Sequence, residues 1–276
     1  MLLGAGRAVT SMRCFGPNRC LDYNWVMNQT DLVLTERHGA VAHVILNRPE
    51  RRNALTGPLA DELLEALTTA SEDDDVSIIV VRGAGGAFCS GLDLKEFSAD
   101  PRPEWVAGFG QKWRAVHETI FNCPKIVVGA LERAAVNGGA ALALAMDFLV
   151  AGDNAFLQVG EIQQGMAAPM NTAWLLLRHS EAVAARAALI GDRLNGPKLV
   201  ELGIALMSVA DEHVVAETEA LANRLAEHDR GGIYRIKTSL RGGGPSGGDA
   251  TAWFDRAVAV DPLAGKSMRP IAARSD

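Results

Sequence analysis

Between residues 134 and 161 the chain reads AAVNGGAALALAMDFLVAGDNAFLQVGE. This stretch carries two groups suited to chemistry: a corner of small residues, Asn137-Gly138-Gly139-Ala140, and a lone carboxylate, Glu161, that follows a glycine. Paired glycines at the start of a helix let a ligand approach the backbone closely. The first-turn N–H groups of such a helix have no intrahelical acceptor and carry the positive end of its dipole. The corner therefore suits an oxygen that becomes negative. Glu161, if brought to the same place, is a base; if not, it is a solvated surface charge.

The surrounding pattern shows which elements position these groups. Two apolar runs, Leu32-Val33-Leu34-Thr35 and Val41-Ala42-His43-Val44-Ile45-Leu46, flank His38-Gly39 and predict a hairpin. Pro49 ends the second run, since it cannot donate to a ladder. Thr56 is a helix cap with Pro58 in the first turn, and Leu59, Leu63, Leu67 and Ala70 recur at helical spacing behind it. A β-branched run, Ser77-Ile78-Ile79-Val80-Val81-Arg82, predicts a buried parallel strand. It empties into the glycine-rich segment 83–91, whose spacing is neither G-x-G-x-x-G nor that of a P-loop. A helix over 104–121 and a strand over 125–130 lead into the glycine corner. Alternating strands and helices predict an α/β fold, and in such sheets ligands bind at the carboxyl ends of strands. Both glycine segments leave such ends. Beyond Glu161, helices are expected over 171–177, 181–189, 197–202, 212–227 and 233–240, with one short strand over 205–209. A flexible break over 242–248 precedes a last helix over 249–260.

Composition narrows the function. The 276 residues carry a formal net charge of -6, which gives no reason to expect nucleic acid or an anionic membrane as partner. No apolar stretch is long enough to span a membrane. Cys14, Cys20, Cys89 and Cys123 have no metal or redox spacing, which favours a reducing, cytoplasmic setting. The six histidines are scattered, and no metal site is legible. Residues 1–29 hold Arg7, Arg13 and Arg19 and no acid before Asp22. That pattern can mark a transit peptide, but Gly4, Gly6, Gly16 and Pro17 break an amphipathic helix. The expectation is an unstructured extension or a start codon set too early, with Met27 as the true start.

Four blocks together resemble the crotonase superfamily, the enoyl-CoA hydratase/isomerase family. They are Leu46-Asn47-Arg48-Pro49-Glu50-Arg51-Arg52-Asn53-Ala54-Leu55; Gly86-Ala87-Phe88-Cys89-Ser90-Gly91-Leu92-Asp93-Leu94; Val136 through Asp147; and Gly160-Glu161-Ile162 with Gly165. The resemblance implies repeated ββα turns with a C-terminal helical region that builds trimers or pairs of trimers. On that basis residues 30–195 form the core with the active site and 196–276 the helical region. It implies an acyl-CoA thioester as ligand, with coenzyme A part of the substrate and no separate cofactor or metal. It implies an oxyanion hole from the N–H groups of Leu92 and Gly138, with Glu161 as acid/base. It places Arg52, Ala54, Gly91, Asp93 and Leu94 at the coenzyme A moiety. The chemistry agrees with the bottom-up reading. Removing a proton beside a thioester carbonyl makes an enolate, and losing one preorganised donor to its oxygen costs about 3–4 kcal/mol.

Two departures favour one branch of the family. Hydratases commonly use two glutamates, and the position matching the first is Ala141 here. A backbone N–H that helps hold the water falls near Pro169, which has none. Both weaken hydration and leave proton shuttling intact, so isomerisation of the double bond is favoured. Hydration is the alternative within the same site, and a non-catalytic acyl-CoA-binding protein is the alternative outside it. The chain from Asp255 onward is also short and lacks the usual final helix pattern. Asp147 is expected to be structural, Asp93 to order the Gly91 loop, and Cys89 to be a core residue. Arg51, Arg52 and Lys95 are read as solvated charges or phosphate contacts. Trp105, Trp113 and Trp174 either line the acyl cavity or fill the core.

Overall fold

The computed structural model describes residues 31–259, so the expected N-terminal extension lies outside the described residues. The chain opens on the predicted hairpin, β1 (Val33–His38) and β2 (Val41–Leu46). Helix α1 (Gly57–Glu72) follows, capped by the Thr56 side chain accepting from Leu59 N. Then come β3 (Ile78–Gly83), the short α2 (Leu94–Phe97), α3 (Phe109–Asn122), β4 (Ile126–Leu131), β5 (Ala134–Val136) and α4 (Gly138–Ala145). The chain continues through β6 (Phe148–Gly152), β7 (Phe156–Gln158), α5 (Pro169–Arg178), α6 (Glu181–Ile190), β8 (Leu194–Asn195), α7 (Gly196–Glu201) and β9 (Met207–Val209). It closes with α8 (Val214–Ala226), α9 (Arg230–Gly243) and α10 (Ala250–Ala259).

Six strands form one sheet in the order β1-β2-β3-β4-β6-β9, antiparallel only at the hairpin. A second, three-stranded sheet has the order β5-β7-β8. After β4 and again after β6 the chain bends from the large sheet into a three-residue strand of the small one before turning into a helix, which is the expected ββα repeat. Sequence reading missed β5, β7 and β8 because strands of two or three residues show no alternation to read. It also set the glycine-rich break too early: α9 runs through Gly242 and Gly243.

Alternation along the strands separates two cores. Ala42, Val44, Leu46, Ile79, Val81 and Val127 face α1, α3 and α4. Val41, Ile78, Val80, Val128 and Val150 face the other way, onto Val214, Leu221 and Ala222 of α8. Helix α10 folds back so that Phe254 is buried among Trp174, Phe121 and His117. Trp174 is therefore core, and its Nε1 donates to Nδ1 of buried His117 at 2.9 Å.

Asp147 locks α9 to the sheet. Its carboxylate accepts from Lys237 Nζ at 2.6 Å, Arg178 Nη2 at 2.9 Å, Arg241 Nη2 at 3.3 Å and Val127 N at 2.9 Å. Burial pushes its pKa up, but the three cations outweigh burial and hold it below the ordinary carboxylate value. Asp147→Asn leaves those cations clustered without their counter-charge, and is expected to cost about 3–5 kcal/mol in urea denaturation. A loss below about 1 kcal/mol contradicts this account of the cluster.

Candidate active site

Three loops meet at one end of the large sheet, and backbone pairing stitches them together. Leu55 N donates to Gly91 O at 2.8 Å, and Asp93 N donates to Leu55 O at 2.9 Å. Cys89 N donates to Ala134 O at 3.0 Å, and Val136 N donates to Cys89 O at 3.1 Å. The Gly91 loop is thus held between residue 55 on one side and β5 on the other, directly before the glycine corner. Two glycines make the fit possible. Gly91 sits at φ +85° with a Cβ position only 2.6 Å from Val136 O. A Cβ at Gly139 would stand 2.3 Å from Cys89 O.

Neither the Leu92 N–H nor the Gly138 N–H has a hydrogen-bond acceptor among the described residues. Leu92 is free because the ladder with Leu55 uses the Gly91 carbonyl and the Asp93 N–H on either side of it. Gly138 is free because it is the first residue of α4. A Cβ placed on Gly138 would lie 2.8 Å from Leu55 Cδ1 and 3.9 Å from Trp113 Nε1. Trp113 therefore borders the corner, whereas Trp105 packs over Gly57 on α1.

Asn137 connects the corner to the carboxylate. It holds a strained backbone, φ 51° and ψ −111°, uncommon for a non-glycine residue. Its Oδ1 accepts from Gly160 N at 2.8 Å and its N–H donates to Gln158 O at 2.9 Å, which fixes β7 and the residue before Glu161 against α4. Asn171, near the start of α5, completes the link. Its Nδ2 donates to Glu161 Oε1 at 2.9 Å and to Asn137 O at 3.2 Å.

Glu161 is only 8% exposed. Burial pushes its pKa up to about 7, against the opposing pull of a backbone hydrogen bond and of Asn171. Its second oxygen, Oε2, is buried with no hydrogen-bond partner among the described residues, and so is Asn171 Oδ1. A carboxyl group with one oxygen anchored, the other free and a pKa near neutrality can both take and return a proton at pH 7. Among the described residues no second carboxylate is hydrogen-bonded to it, and Ala141 is fully buried in α4.

The remaining expected contacts are distributed as follows. Arg52 is exposed at φ 51°, Ala54 is buried, and Leu94 is 40% exposed at the mouth of the Gly91 loop. Asp93 is buried and its carboxylate is committed: it accepts from Arg51 Nη2 at 2.8 Å, from Arg48 Nη2 at 3.3 Å and from Glu96 N at 3.2 Å. Asp93 thus orders the loop, and its backbone is what remains for a ligand. Arg51 is held in this pair and is not a free solvated charge, while Arg52 and Lys95 stay exposed. Cys89 is buried, with burial pushing its thiol up to about 12, so it is no nucleophile at neutral pH.

Sequence reading missed Asn171 and Arg48. Asn171 read only as a helix residue, and Arg48, whose Nη1 donates to Ala54 O at 2.7 Å, was part of a motif with no role attached. No metal-type spacing is legible in the sequence, yet hairpin register and α8 bring His38, His43 and Glu219 together.

Among the described residues Asn171 is the only side-chain donor to the Glu161 carboxylate, so Asn171→Ala is expected to move the pH midpoint of kcat/KM upward. Its kcat should fall by about 10- to 100-fold as the carboxyl loses its fixed orientation. An unchanged midpoint and rate would show that Asn171 does not position Glu161.

The model of the enoyl-CoA hydratase/isomerase family matches residues 36–251. The probable enoyl-CoA hydratase EchA14 of Mycobacterium tuberculosis is 36% identical over 204 residues, covering 72% of this chain and 78% of that protein. The 1,2-epoxyphenylacetyl-CoA isomerase of Escherichia coli is 28% identical over 214 residues, covering 76% and 82%. The crystal structure of an enoyl-CoA hydratase/isomerase from Xanthobacter autotrophicus Py2 superposes with a TM-score of 0.75 at 28% identity, covering 83% of this chain and 86% of that one.

Proposed function

The chain belongs to the enoyl-CoA hydratase/isomerase family of enzymes, the crotonase superfamily, and from that premise we propose that it isomerises the double bond of an enoyl-CoA thioester with Glu161 as its single acid/base. The observation that carries this reading is the lone free oxygen of Glu161, buried near the glycine corner with no second carboxylate bound to it among the described residues.

In this reading the Glu161 carboxylate removes a proton from C2 of a 3-enoyl thioester. The C–H electron pair forms the C1–C2 double bond of the enolate, and charge moves to the thioester oxygen. The Leu92 and Gly138 N–H groups stabilise that oxygen, at about 3–4 kcal/mol per donor. The helix behind Gly138 adds favourable potential. When the electrons return, the former C3–C4 double bond takes the proton from Glu161 at C4, leaving a double bond between C2 and C3. The step moves one proton and no net electrons, so it requires no separate cofactor. Arg52 and Lys95, exposed beside the loop, are suited to the phosphates of coenzyme A.

Hydration is the second reading, favoured by the hydratase name of the 36% identical relative. It needs a further group to hold water, and Asn171 Oδ1 is a free acceptor there. Incubation with 3-hexenoyl-CoA and with crotonyl-CoA, followed by mass spectrometry, separates the two. The expected outcome is 2-hexenoyl-CoA from the first and no addition of water to the second; hydration of crotonyl-CoA with no isomerisation would overturn the reading.

For assembly we favour a homotrimer or a pair of trimers. Exposed Leu189, Ile236 and Leu240 support a buried contact in such an assembly. A cytoplasmic setting is supported by the free thiols of Cys89 and Cys123. No helix among the described residues is long and apolar enough to cross a membrane.

A further inference from the structure

On the face of the large sheet away from α4, three side chains converge that the proton-transfer chemistry does not use. The hairpin places them. Glu36 and His38 lie two apart on β1 and share a face. Glu36 pairs across the ladder with His43 of β2, so His43 joins that face. The two imidazole rings stand 4.6 Å apart between centroids. Helix α8 lies over this face and brings Glu219 down onto the pair. His43 Nε2 is 3.3 Å from Glu219 Oε2, and His38 Nδ1 is 3.8 Å from Glu219 Oε1.

We infer that His38, His43 and Glu219 form a binding site for a divalent transition-metal ion of the zinc type, which fastens α8 to the edge hairpin. One donor atom from each of the three lies within 4.8 Å of the others. Donors on a tetrahedral zinc are separated by about 3.3 Å, so the group needs only small side-chain adjustments to close on an ion. The nitrogen–oxygen set is the one such ions prefer, and its three elements are held in place by the core on this face.

Three further observations support a ligand here. First, His43 is 4% exposed, and its Nε2 makes no hydrogen bond although Glu219 is in reach. A metal ion satisfies this buried lone pair. Second, the surrounding groups orient the donors. Nε2 of His38, the nitrogen turned away from Glu219, is 3.7 Å from Glu36 Oε2, and Asn223 Nδ2 donates to Glu219 Oε1 at 3.4 Å. A carboxylate on the far nitrogen of a ligating histidine fixes its tautomer and raises its basicity. Third, a cavity of about 460 Å³ opens onto all three residues. It gives an ion a path in and leaves room for water in the open coordination positions. Its charged lining is Glu36, Glu212 and Glu219 against Arg82 alone, a balance that favours a cation.

The test uses the untagged full chain, stripped with a chelator and then titrated with cobalt(II) and with zinc(II). The expected result is one equivalent per chain at the site, a cobalt d–d spectrum of low coordination number, and a Tm raised by several degrees at saturating zinc. Magnesium and calcium should give neither. His38→Gln and Glu219→Gln, both partly exposed and both checked for fold by circular dichroism, should each weaken zinc binding at least about a hundredfold. Glu36→Gln should weaken it less, by about tenfold. Turnover of the acyl-CoA substrate should be the same with and without zinc, since the site lies across the sheet from α4. Failure of the stripped wild type to bind cobalt or zinc overturns the inference. So does a full equivalent retained by the double variant His38→Gln/Glu219→Gln, which would place the ion elsewhere.

Discussion

Glu161→Gln is expected to abolish turnover, by at least about a thousandfold, while acyl-CoA binding survives, and to make the protein more stable. The two effects have one cause. Burial raises the Glu161 pKa from an ordinary 4.5 to about 7, so the ionised base is held at a cost to the fold. The sign follows from proton linkage. Between pH 4.5 and about 7 the folded state binds the proton that the unfolded state releases, so stability falls as pH rises through this window. The amide carries no charge to bury. Its gain over the wild type should be negligible below pH 4.5 and reach up to about 3 kcal/mol by pH 8, read as a Tm difference at the two pH values. In the wild type, kcat/KM should rise with pH to a plateau above about 7, since only the carboxylate removes a proton. Retained turnover in the variant would remove Glu161 from the chemistry. A variant less stable than the wild type at pH 8 would show that the carboxylate is better satisfied than its environment indicates.

The second large effect is expected at Gly91. A side chain there meets two obstacles, a φ of +85° and the Val136 carbonyl at 2.6 Å. Gly91→Ala should cost about 1–3 kcal/mol for the conformation alone. Relief of the clash also turns the next peptide, which carries the Leu92 N–H. Misaligning that donor should lower kcat by about 100- to 1,000-fold, with a smaller change in KM. Gly39→Ala is the control, since Gly39 also has positive φ, at +61°, but nothing lies within 4 Å of its Cβ position. That variant should lose stability and keep its rate. Wild-type kcat in Gly91→Ala would show that Leu92 is not a required donor.

Much of this architecture is legible in the sequence because it is written in repeating apolar positions. The hairpin, α1, β3 and the α4 corner each follow from local spacing, and the glycines at 91 and 138 stand out where a backbone must come close. What is not legible depends on contacts between distant segments. The Asn171 amide reaches Glu161 only once Pro169 has started α5 in the right place. Asp147 shows its structural role only when Lys237, 90 residues away, is beside it. His38 and His43 are separated by four residues, a spacing that points to no metal motif. The ladder pairing Glu36 with His43, followed by a helix that begins at Val214, makes them neighbours of one carboxylate. The small sheet escapes detection because its strands are too short to carry a pattern.

The claim that one buried carboxylate carries a proton between two carbons can be tested with 3-hexenoyl-CoA deuterated at C2, turned over in ordinary water and sampled early in the reaction. Glu161 is largely shielded from solvent, so the account predicts that part of the deuterium taken from C2 is delivered to C4 of the 2-hexenoyl product. Product that carries only ordinary hydrogen at C4 at every time point would contradict it, and would mean that a second group or water returns the proton.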